Sequence, residues 1–173
     1  QTKIDIDYLN TRVQPSDSKA VVLTPLRRIR DEINKLKLSE INGTLLCFSA
    51  TRTGSYRKKE DKDLPMEENI HLKENCRVVI KANMTYKIMG VMQRLVNGDT
   101  GTFRGLDKRG RMVIQRDSDN NIVYLKPKKY QDSKAKVTVQ DGEEKIVDES
   151  KGEYIQYPIQ LGYSMTIHAS QGS

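Results

Sequence analysis

The closing stretch of the chain, residues 157–173, carries side chains that could contact a phosphate or a nucleobase. Its pattern predicts a short buried helix, with Pro158 in the first turn and Gly172 just past the end. The apolar face would comprise Leu161, Met165 and Ala169, and the adjacent polar face Ser164, His168 and Gln171. Such a helix would bring an imidazole, an amide and hydroxyls to one end, beside an exposed backbone turn. A core helix with satisfied polar groups fits the same spacing.

The elements that would position this helix begin near the other end of the chain. Residues 20–24 form a short apolar run that predicts a buried strand. A helical pattern follows at once, with Thr24 as its N-cap and Pro25 at its first position. A second strand is predicted at 43–50, so the segment has the order of an α/β unit. Residues 51–69 carry mixed charges and predict a solvated connector rather than a binding arm.

The middle of the chain changes to a β pattern from residue 70 onward. Short runs rich in β-branched residues alternate with turn signals such as Asn97-Gly98, which we interpret as a structural turn. This pattern predicts a small β-barrel or curled sheet that is inserted into the α/β domain. Its basic residues are Arg104, Lys108, Arg109, Arg111, Lys126, Lys128 and Lys129, the last three close to Tyr130. They suit single-stranded nucleic acid, although ordinary solvated loops would look the same.

Composition narrows the class of partner. The chain has 173 residues, of which 30 are Lys or Arg and 23 are Asp or Glu, giving a net charge of +7. A basic surplus favours nucleic acid first and an anionic membrane second. Cys47 and Cys76 lack a disulfide or metal spacing, and His71 and His168 lie too far apart to predict a metal site. No run is apolar enough to predict a membrane span and no signal peptide is evident, so we expect a cytoplasmic protein.

Three stretches, taken in order, resemble one family. Residues 165–173, Met-Thr-Ile-His-Ala-Ser-Gln-Gly-Ser, resemble motif V of the superfamily 1B DNA helicases, the group that includes RecD. Residues 21–34 look like the motif IV region of that family. Residues 72–83 and 97–103 resemble the block that begins its SH3-like insertion. The likeness spans about residues 20–173 and departs from the family at Asn75 (usually glycine), Phe103 (usually valine) and Ala169 (often lysine).

The resemblance implies an α/β fold: a partial RecA-like domain with an inserted small SH3-like β-barrel. Residues 1–69 would be the first part of the second RecA-like motor domain, 70–156 the SH3-like insertion, and 157–173 the return to the motor domain. DNA-binding residues would be Thr24, Thr166, His168 and Ser170, together with Lys126, Lys128 and Lys129 of the insertion. Gln171 and Gly172 would lie next to the nucleotide and couple it to DNA. Asn34 is expected to hold its own helix in place.

The implied function is that of a fragment of an ATP-dependent helicase, which translocates on single-stranded DNA and unwinds duplex. The whole protein would use ATP and Mg²⁺, and this chain would work against the first RecA-like domain. We expect no catalytic residue, no metal site and no ATPase activity in this chain alone, because it contains no Gly-x-x-x-x-Gly-Lys-Ser/Thr loop. The alternatives are a non-enzymatic nucleic-acid-binding module built on the SH3-like barrel, and a protein-interaction domain.

Overall fold

The computed structural model describes residues 21–140 and 143–166, which form fourteen strands, one α-helix and two short 3₁₀ turns. The first elements are β1 (Val22–Thr24), α1 (Arg27–Ser39), β2 (Leu46–Ser49), β3 (Thr51–Arg52) and the 3₁₀ turns Gly54–Lys58 and Asp61–Asp63. The middle strands are β4 (Asn69–Leu72), β5 (Arg77–Ile80), β6 (Met84–Ile88), β7 (Val91–Leu95), β8 (Thr100–Leu106), β9 (Met112–Arg116) and β10 (Ile122–Leu125). The last are β11 (Lys128–Gln140), β12 (Glu143–Gln156), β13 (Ile159–Leu161) and β14 (Ser164–Thr166).

A βα unit opens the described chain, as the sequence predicts. β1 pairs in parallel with β14, and α1 packs against both strands. The helix begins at Arg27, so the prediction that Thr24 is its N-cap is wrong: the N-cap is Leu26, which makes no side-chain capping bond. Leu26 and Leu36 of the helical pattern are exposed, whereas Leu38 is buried.

The predicted helix in the closing stretch is wrong for residues 157–166. Ile159–Leu161 is a strand that pairs antiparallel with β5, and Ser164–Thr166 is the strand that pairs with β1. Between the two strands Gly162 lies so close to β5 that an added Cβ would be 2.9 Å from the carbonyl carbon of Val78. Tight backbone packing against two separate sheets therefore replaces the helical spacing seen in the sequence.

The hydrophobic core lies mainly on the five-stranded sheet, whose order is β10-β9-β8-β5-β13. Alternate residues point inward along β8, β9 and β10, as expected for a sheet with one covered face, whereas the consecutive residues 78–80 of β5 are all buried. Fully buried members include Val78, Ile80, Phe103, Met112, Ile114, Leu125 and Ile159. Leu72 of β4 and Leu38 of α1 belong to the same cluster, so this core joins the helix to the β part.

The described strands do not close into a barrel, so the barrel prediction is not confirmed. The five-stranded sheet is open, and β6 and β7 form a two-stranded sheet of their own. Strand pairs also cross the predicted boundaries: β13, from the predicted return segment, pairs with β5 of the predicted insertion. The predicted turn at Asn97-Gly98 is confirmed, with Gly98 at a φ of 97°.

Asn75 shows why one departure from the family pattern leaves the turn intact. Its φ of 70° is left-handed, the region that glycine adopts readily and that asparagine tolerates better than most residues. Its backbone N–H donates to the Phe103 carbonyl at 2.7 Å, and its side-chain oxygen accepts a hydrogen bond from Arg104. The turn therefore keeps a glycine-like backbone and gains a side-chain contact.

The predicted charged connector, residues 51–69, is fixed to the base of the long β11–β12 ribbon. β3 pairs with β12, and Arg52 forms ion pairs with Asp61 at 3.1 Å and Glu68 at 2.7 Å. The first 3₁₀ turn approaches β12 closely, because Gly54 adopts a φ of +54° against the backbone of Lys151. These contacts hold the connector against the ribbon, so it is ordered rather than a free loop.

Substituting Gly54 with alanine should weaken the contact between the connector and the ribbon. The new Cβ would lie 2.0 Å from the Lys151 carbonyl oxygen, and the residue would also be held at a positive φ. Gly110→Ala is a matched control, since Gly110 has a φ of +72° and nothing within 4 Å of an added Cβ. Urea unfolding should show Gly54→Ala to be less stable than Gly110→Ala by about 1–3 kcal/mol, the usual cost of overpacking. Equal stabilities would show that the ribbon does not hold the turn closely.

Across the described residues, no helix is long and apolar enough to cross a membrane.

Candidate nucleic-acid interface

Thr24 and Thr166 are brought side by side by the parallel pairing of β1 with β14. Val22, Leu23 and Thr24 pair with Ser164, Met165 and Thr166 in register. The two threonines therefore occupy the carboxyl ends of neighbouring parallel strands, the edge of an α/β sheet where ligands usually bind. Both residues were predicted from the sequence as DNA contacts, but Thr166 was expected on a helix, so its pairing with Thr24 was not predicted.

The Thr24 side chain is committed to the chain reversal before α1. Only 3% of the residue is exposed; its hydroxyl accepts a hydrogen bond from the Leu26 N–H at 3.1 Å and donates to the Leu26 carbonyl at 2.8 Å. Thr166 is only partly buried. Of the two, Thr166 is therefore the better placed to reach a ligand, and Thr24 shapes the turn beside it.

Asn34 fixes the helix to the strand that carries Thr166. Its side-chain oxygen accepts from the Ser164 N–H at 2.9 Å, and its side-chain nitrogen donates to the Ser164 carbonyl at 3.2 Å. Ser164 in turn donates its hydroxyl to the Val22 carbonyl at 3.0 Å. This agrees with the prediction that Asn34 holds its helix in place, and it extends that role to β14.

The remaining predicted residues of the closing stretch, His168, Ser170, Gln171 and Gly172, lie outside the described residues. In the sequence they come two to six positions after Thr166, the last residue of β14. Their predicted roles in DNA binding and nucleotide coupling stay predictions.

The three predicted lysines of the β part lie where β10 leads into the long ribbon. The Lys126 ammonium lies 5.2 Å from the centre of the Tyr86 ring, and that of Lys128 5.2 Å from the Tyr130 ring. Lys129 differs from both, because its ammonium pairs with the Glu153 carboxylate at 2.9 Å. Lys126 and Lys128 combine a cation with an aromatic ring, which suits a nucleic-acid strand, whereas Lys129 already has an anionic partner.

A polar groove that was not predicted from the sequence runs along α1. The groove has a volume of about 550 Å³, and one helical face, repeating every three to four residues, lines it. Its charged lining combines the basic residues Arg27, Arg30, Lys35 and Lys62 with the acidic residues Asp31, Asp61 and Glu67. Arg27 lies at the end of the groove nearest Thr24, because α1 begins there. The basic residues at 27, 30 and 35 were visible in the sequence, but the opposing wall comes from the distant connector.

The charges in and beside this groove are partly desolvated. Burial raises the pKa of the Glu67 carboxyl, although the nearby Arg30 opposes that rise. In an adjoining groove, burial lowers the pKa of the Lys81 ammonium, and the charge of Arg30 lowers it further. Arg30 itself is paired with Asp31 at 2.5 Å and lies 3.7 Å from the Glu67 carboxylate, so its positive charge is partly balanced within the groove.

Asp132 anchors the connector to the ribbon through a carboxylate. It accepts hydrogen bonds from the Ser55 hydroxyl at 2.8 Å and the Lys59 ammonium at 3.0 Å. Both hydrogen bonds lower the pKa of the Asp132 carboxyl below its ordinary value. The contact therefore needs the ionised carboxylate.

Acid should weaken this anchor. Because the folded pKa of Asp132 lies below the unfolded value of about 3.9, the stabilisation is present above that value and is lost as pH falls through the folded pKa. The stability difference between wild type and Asp132→Asn should therefore be full near pH 6 and shrink toward pH 3 in urea unfolding curves. Glu74→Gln, which changes an exposed carboxylate, is the control. A difference between wild type and Asp132→Asn that stays constant with pH would contradict the anchor.

Metal and thiol chemistry find no support in the described part of the chain. It holds no group of three or more His, Cys, Asp or Glu side chains that could bind a metal ion. Cys76 is buried, and desolvation raises the pKa of its thiol to about 11, so the thiolate is disfavoured.

Comparison with known proteins relates this geometry to one kind of enzyme. No protein-family model matches the chain. The ATP-dependent DNA helicase Pif1 of Bdellovibrio bacteriovorus is 29% identical over 171 residues, covering 96% of this chain and 35% of that protein. The ATP-dependent DNA helicase Pif1 of Campylobacter jejuni is 26% identical over 175 residues, covering 96% of this chain and 37% of that protein. The chain is similar to part of a Pif1 helicase.

Solved Pif1 structures share the fold. Unliganded Pif1 from Bacteroides sp. matches with a TM-score of 0.70 and 19% identity, over 90% of this chain and 44% of that one. Bacteroides Pif1 in complex with ADP-AlF3 and single-stranded DNA matches with a TM-score of 0.65 and 19% identity, over 93% of this chain and 34% of that one. The match supports the predicted likeness to superfamily 1B helicases, but the relatives are named Pif1 rather than RecD. The chain spans about a third of the length of the curated relatives.

Proposed function

We propose that this chain is part of an ATP-dependent DNA helicase of the Pif1 type, in which it grips single-stranded DNA. The observation that carries the proposal is the alignment of 96% of the chain with a continuous third of two Pif1 helicases. A Pif1 relative has been crystallised with both a nucleotide analogue and single-stranded DNA, so both ligands are proposed for the whole protein.

In this proposal the α/β part belongs to the second RecA-like motor domain, and residues 70–156 are its SH3-like insertion. The βα unit leaves Val22, Leu23, Leu26 and Leu36 exposed, and each has at least 49% of its surface open. Further elements of a RecA-like domain, packed on this unit, would cover such apolar side chains. The described strands of residues 70–156 form open sheets rather than a closed barrel.

DNA would lie across the carboxyl ends of β1 and β14. Thr166 would contact the strand directly, His168 and Ser170 would follow it, and Thr24 would shape the turn at this edge. Phosphate contacts of this kind give grip without sequence preference, as a translocating motor needs. Lys126 and Lys128 would extend the contact on the β part, and Lys129 would do so only after leaving Glu153.

ATP and Mg²⁺ would be held elsewhere in the protein. The described residues do not fit a metal site, since they contain no cluster of metal-binding side chains. The chain also lacks the glycine-rich phosphate loop that cradles a triphosphate. Gln171 and Gly172 would meet the nucleotide at the face toward the first RecA-like domain and link it to the DNA grip. The protein would act inside the cell, where its DNA is.

The test uses the complete protein that carries this chain. ATP hydrolysis should rise when single-stranded DNA is added, and a duplex with a single-stranded tail should be unwound only with ATP. Binding of single-stranded DNA without ATP hydrolysis would favour a non-enzymatic nucleic-acid-binding module instead. Failure to bind DNA at all would favour a protein-interaction domain.

A further inference from the structure

The β6–β7 hairpin lies in the middle of a stretch without acidic residues. Between Glu74 and Asp99 the sequence contains no Asp or Glu, but it contains Arg77, Lys81, Lys87 and Arg94. Of these four cations only Lys87 and Arg94 lie on the hairpin, and Arg77 of β5 is paired with Asp117 at 3.2 Å. The predicted DNA-binding residues do not include this hairpin.

One face of the hairpin anchors it to the five-stranded sheet. Leu95 and Ile88 are buried, with 1% and 5% of their surfaces exposed. The Tyr86 hydroxyl donates a hydrogen bond to the Tyr124 carbonyl, and the Gln93 side-chain oxygen accepts from the Tyr124 N–H at 3.1 Å. The hairpin is therefore held to β10 by apolar and polar contacts on this face.

The opposite face and the tip point away from the protein. In the antiparallel register Lys87 pairs with Met92 and Thr85 pairs with Arg94, and all four side chains are exposed. Lys87 and Arg94 are thus diagonal neighbours across the two strands. In antiparallel pairs such residues are typically about 7–8 Å apart, measured between their backbones. Neither forms an ion pair with another described residue, whereas Arg111, Arg116 and Lys129 all do.

The tip adds apolar side chains to these two cations. Met89 is 80% exposed, Val91 64% and Met92 63%. Met89 and Gly90 have φ values of 50° and 85°, as in the tight turns that join two strands with their native twist. The end of the β6–β7 hairpin therefore presents flexible, polarisable methionine side chains beside unpaired cations.

We propose that this hairpin face is a second contact for single-stranded DNA, with phosphates on Lys87 and Arg94 and bases against Met89 and Met92. Unpaired cations without an intervening carboxylate complement a polyanion, and apolar side chains such as methionine can pack against or between bases. A protein partner would need acidic groups facing both cations. Unchanged oligo(dT) binding by Lys87→Ser/Arg94→Ser would favour such a partner over DNA. The inference rests on the proposed function for its ligand.

The experiment measures binding of fluorescein-labelled oligo(dT) to the complete protein by anisotropy, without ATP, at several salt concentrations. Lys87→Ser/Arg94→Ser should weaken binding and lower the salt slope by about 1.4, the value for two lost contacts to a single strand. Met89→Ser/Met92→Ser should weaken binding roughly fivefold, the lower end for a lost stacking contact, without changing the slope. Arg57→Ser/Lys58→Ser is the matched control, because it removes two exposed charges from the first 3₁₀ turn, in the connector that is not expected to bind DNA.

Ultraviolet crosslinking of wild type to oligonucleotides with 4-thiothymidine provides a second measurement that needs no variant. Mass spectrometry should find adducts within residues 84–95. The hairpin proposal is overturned if Lys87→Ser/Arg94→Ser and its control variant weaken oligo(dT) binding by the same factor. It is also overturned if no adduct falls on the hairpin. Wild type that fails to bind oligo(dT) would overturn the proposed function as well, so the two failures are distinguishable.

Discussion

Replacing Asn34 with leucine is expected to lower the free energy of unfolding by about 2–5 kcal/mol, since each buried polar group left without a partner costs about 1–3 kcal/mol. Asn34 is 7% exposed and satisfies both the N–H and the carbonyl of Ser164. Leucine keeps the size of the side chain and favours a helix, so the loss would come from the two orphaned backbone groups. Urea unfolding followed by circular dichroism measures it.

Glu32→Leu is the control on the same helix, because the Glu32 side chain is 65% exposed and the substitution also raises helix propensity. It should change stability by less than about 0.5 kcal/mol. If Asn34→Leu were as stable as Glu32→Leu, the helix would not depend on its bonds to β14. The position of Thr166 at the sheet edge would then depend on contacts other than those of Asn34.

Changing His168 or Gln171 to alanine in the complete protein should reduce the stimulation of ATP hydrolysis by single-stranded DNA. Both residues are placed by resemblance where one short segment meets DNA and nucleotide. Coupling free energies between two sites are commonly about 1–3 kcal/mol, which corresponds to a loss of about 5–150-fold. Steady-state hydrolysis with and without oligo(dT) gives the ratio directly.

The two variants should differ in their binding of DNA. His168→Ala should weaken oligo(dT) binding, whereas Gln171→Ala should leave it close to wild type and lose only the stimulation. Gln131→Ala, at an exposed position on the ribbon, is the control and should keep both properties. Unchanged stimulation and unwinding in both variants would show that His168 and Gln171 do not couple DNA binding to ATP hydrolysis.

Local signals in the sequence predicted the parts of the fold that depend on neighbouring residues. The strand at 22–24, the helix after it and the Asn97-Gly98 turn all follow from short patterns of apolar residues and turn residues. The positioning role of Asn34 was predicted from the resemblance to the motif IV region, in which this helix carries an asparagine. These features need only a few adjacent side chains to be recognised.

The errors concern residues whose structure is set by distant partners. Leu161 and Met165 repeat like a helix, but they belong to two short strands whose partners, β5 and β1, lie far away in the sequence. Parallel pairing with β1 could not be read from residues 157–166 alone, so neither could the alignment of Thr24 with Thr166. For the same reason the groove along α1 was not predicted, and the strand pattern alone did not decide between a barrel and a curled sheet.

The central claim is that DNA lies at the edge where β1 and β14 end. The direct measurement places the photocrosslinking residue p-benzoylphenylalanine at position 166 of the complete protein, or at position 122 on the outer strand β10, where Ile122 is 45% exposed. Irradiation with labelled oligo(dT) should yield a DNA adduct from position 166 and little from position 122. An adduct from position 122 with none from position 166 would contradict the account.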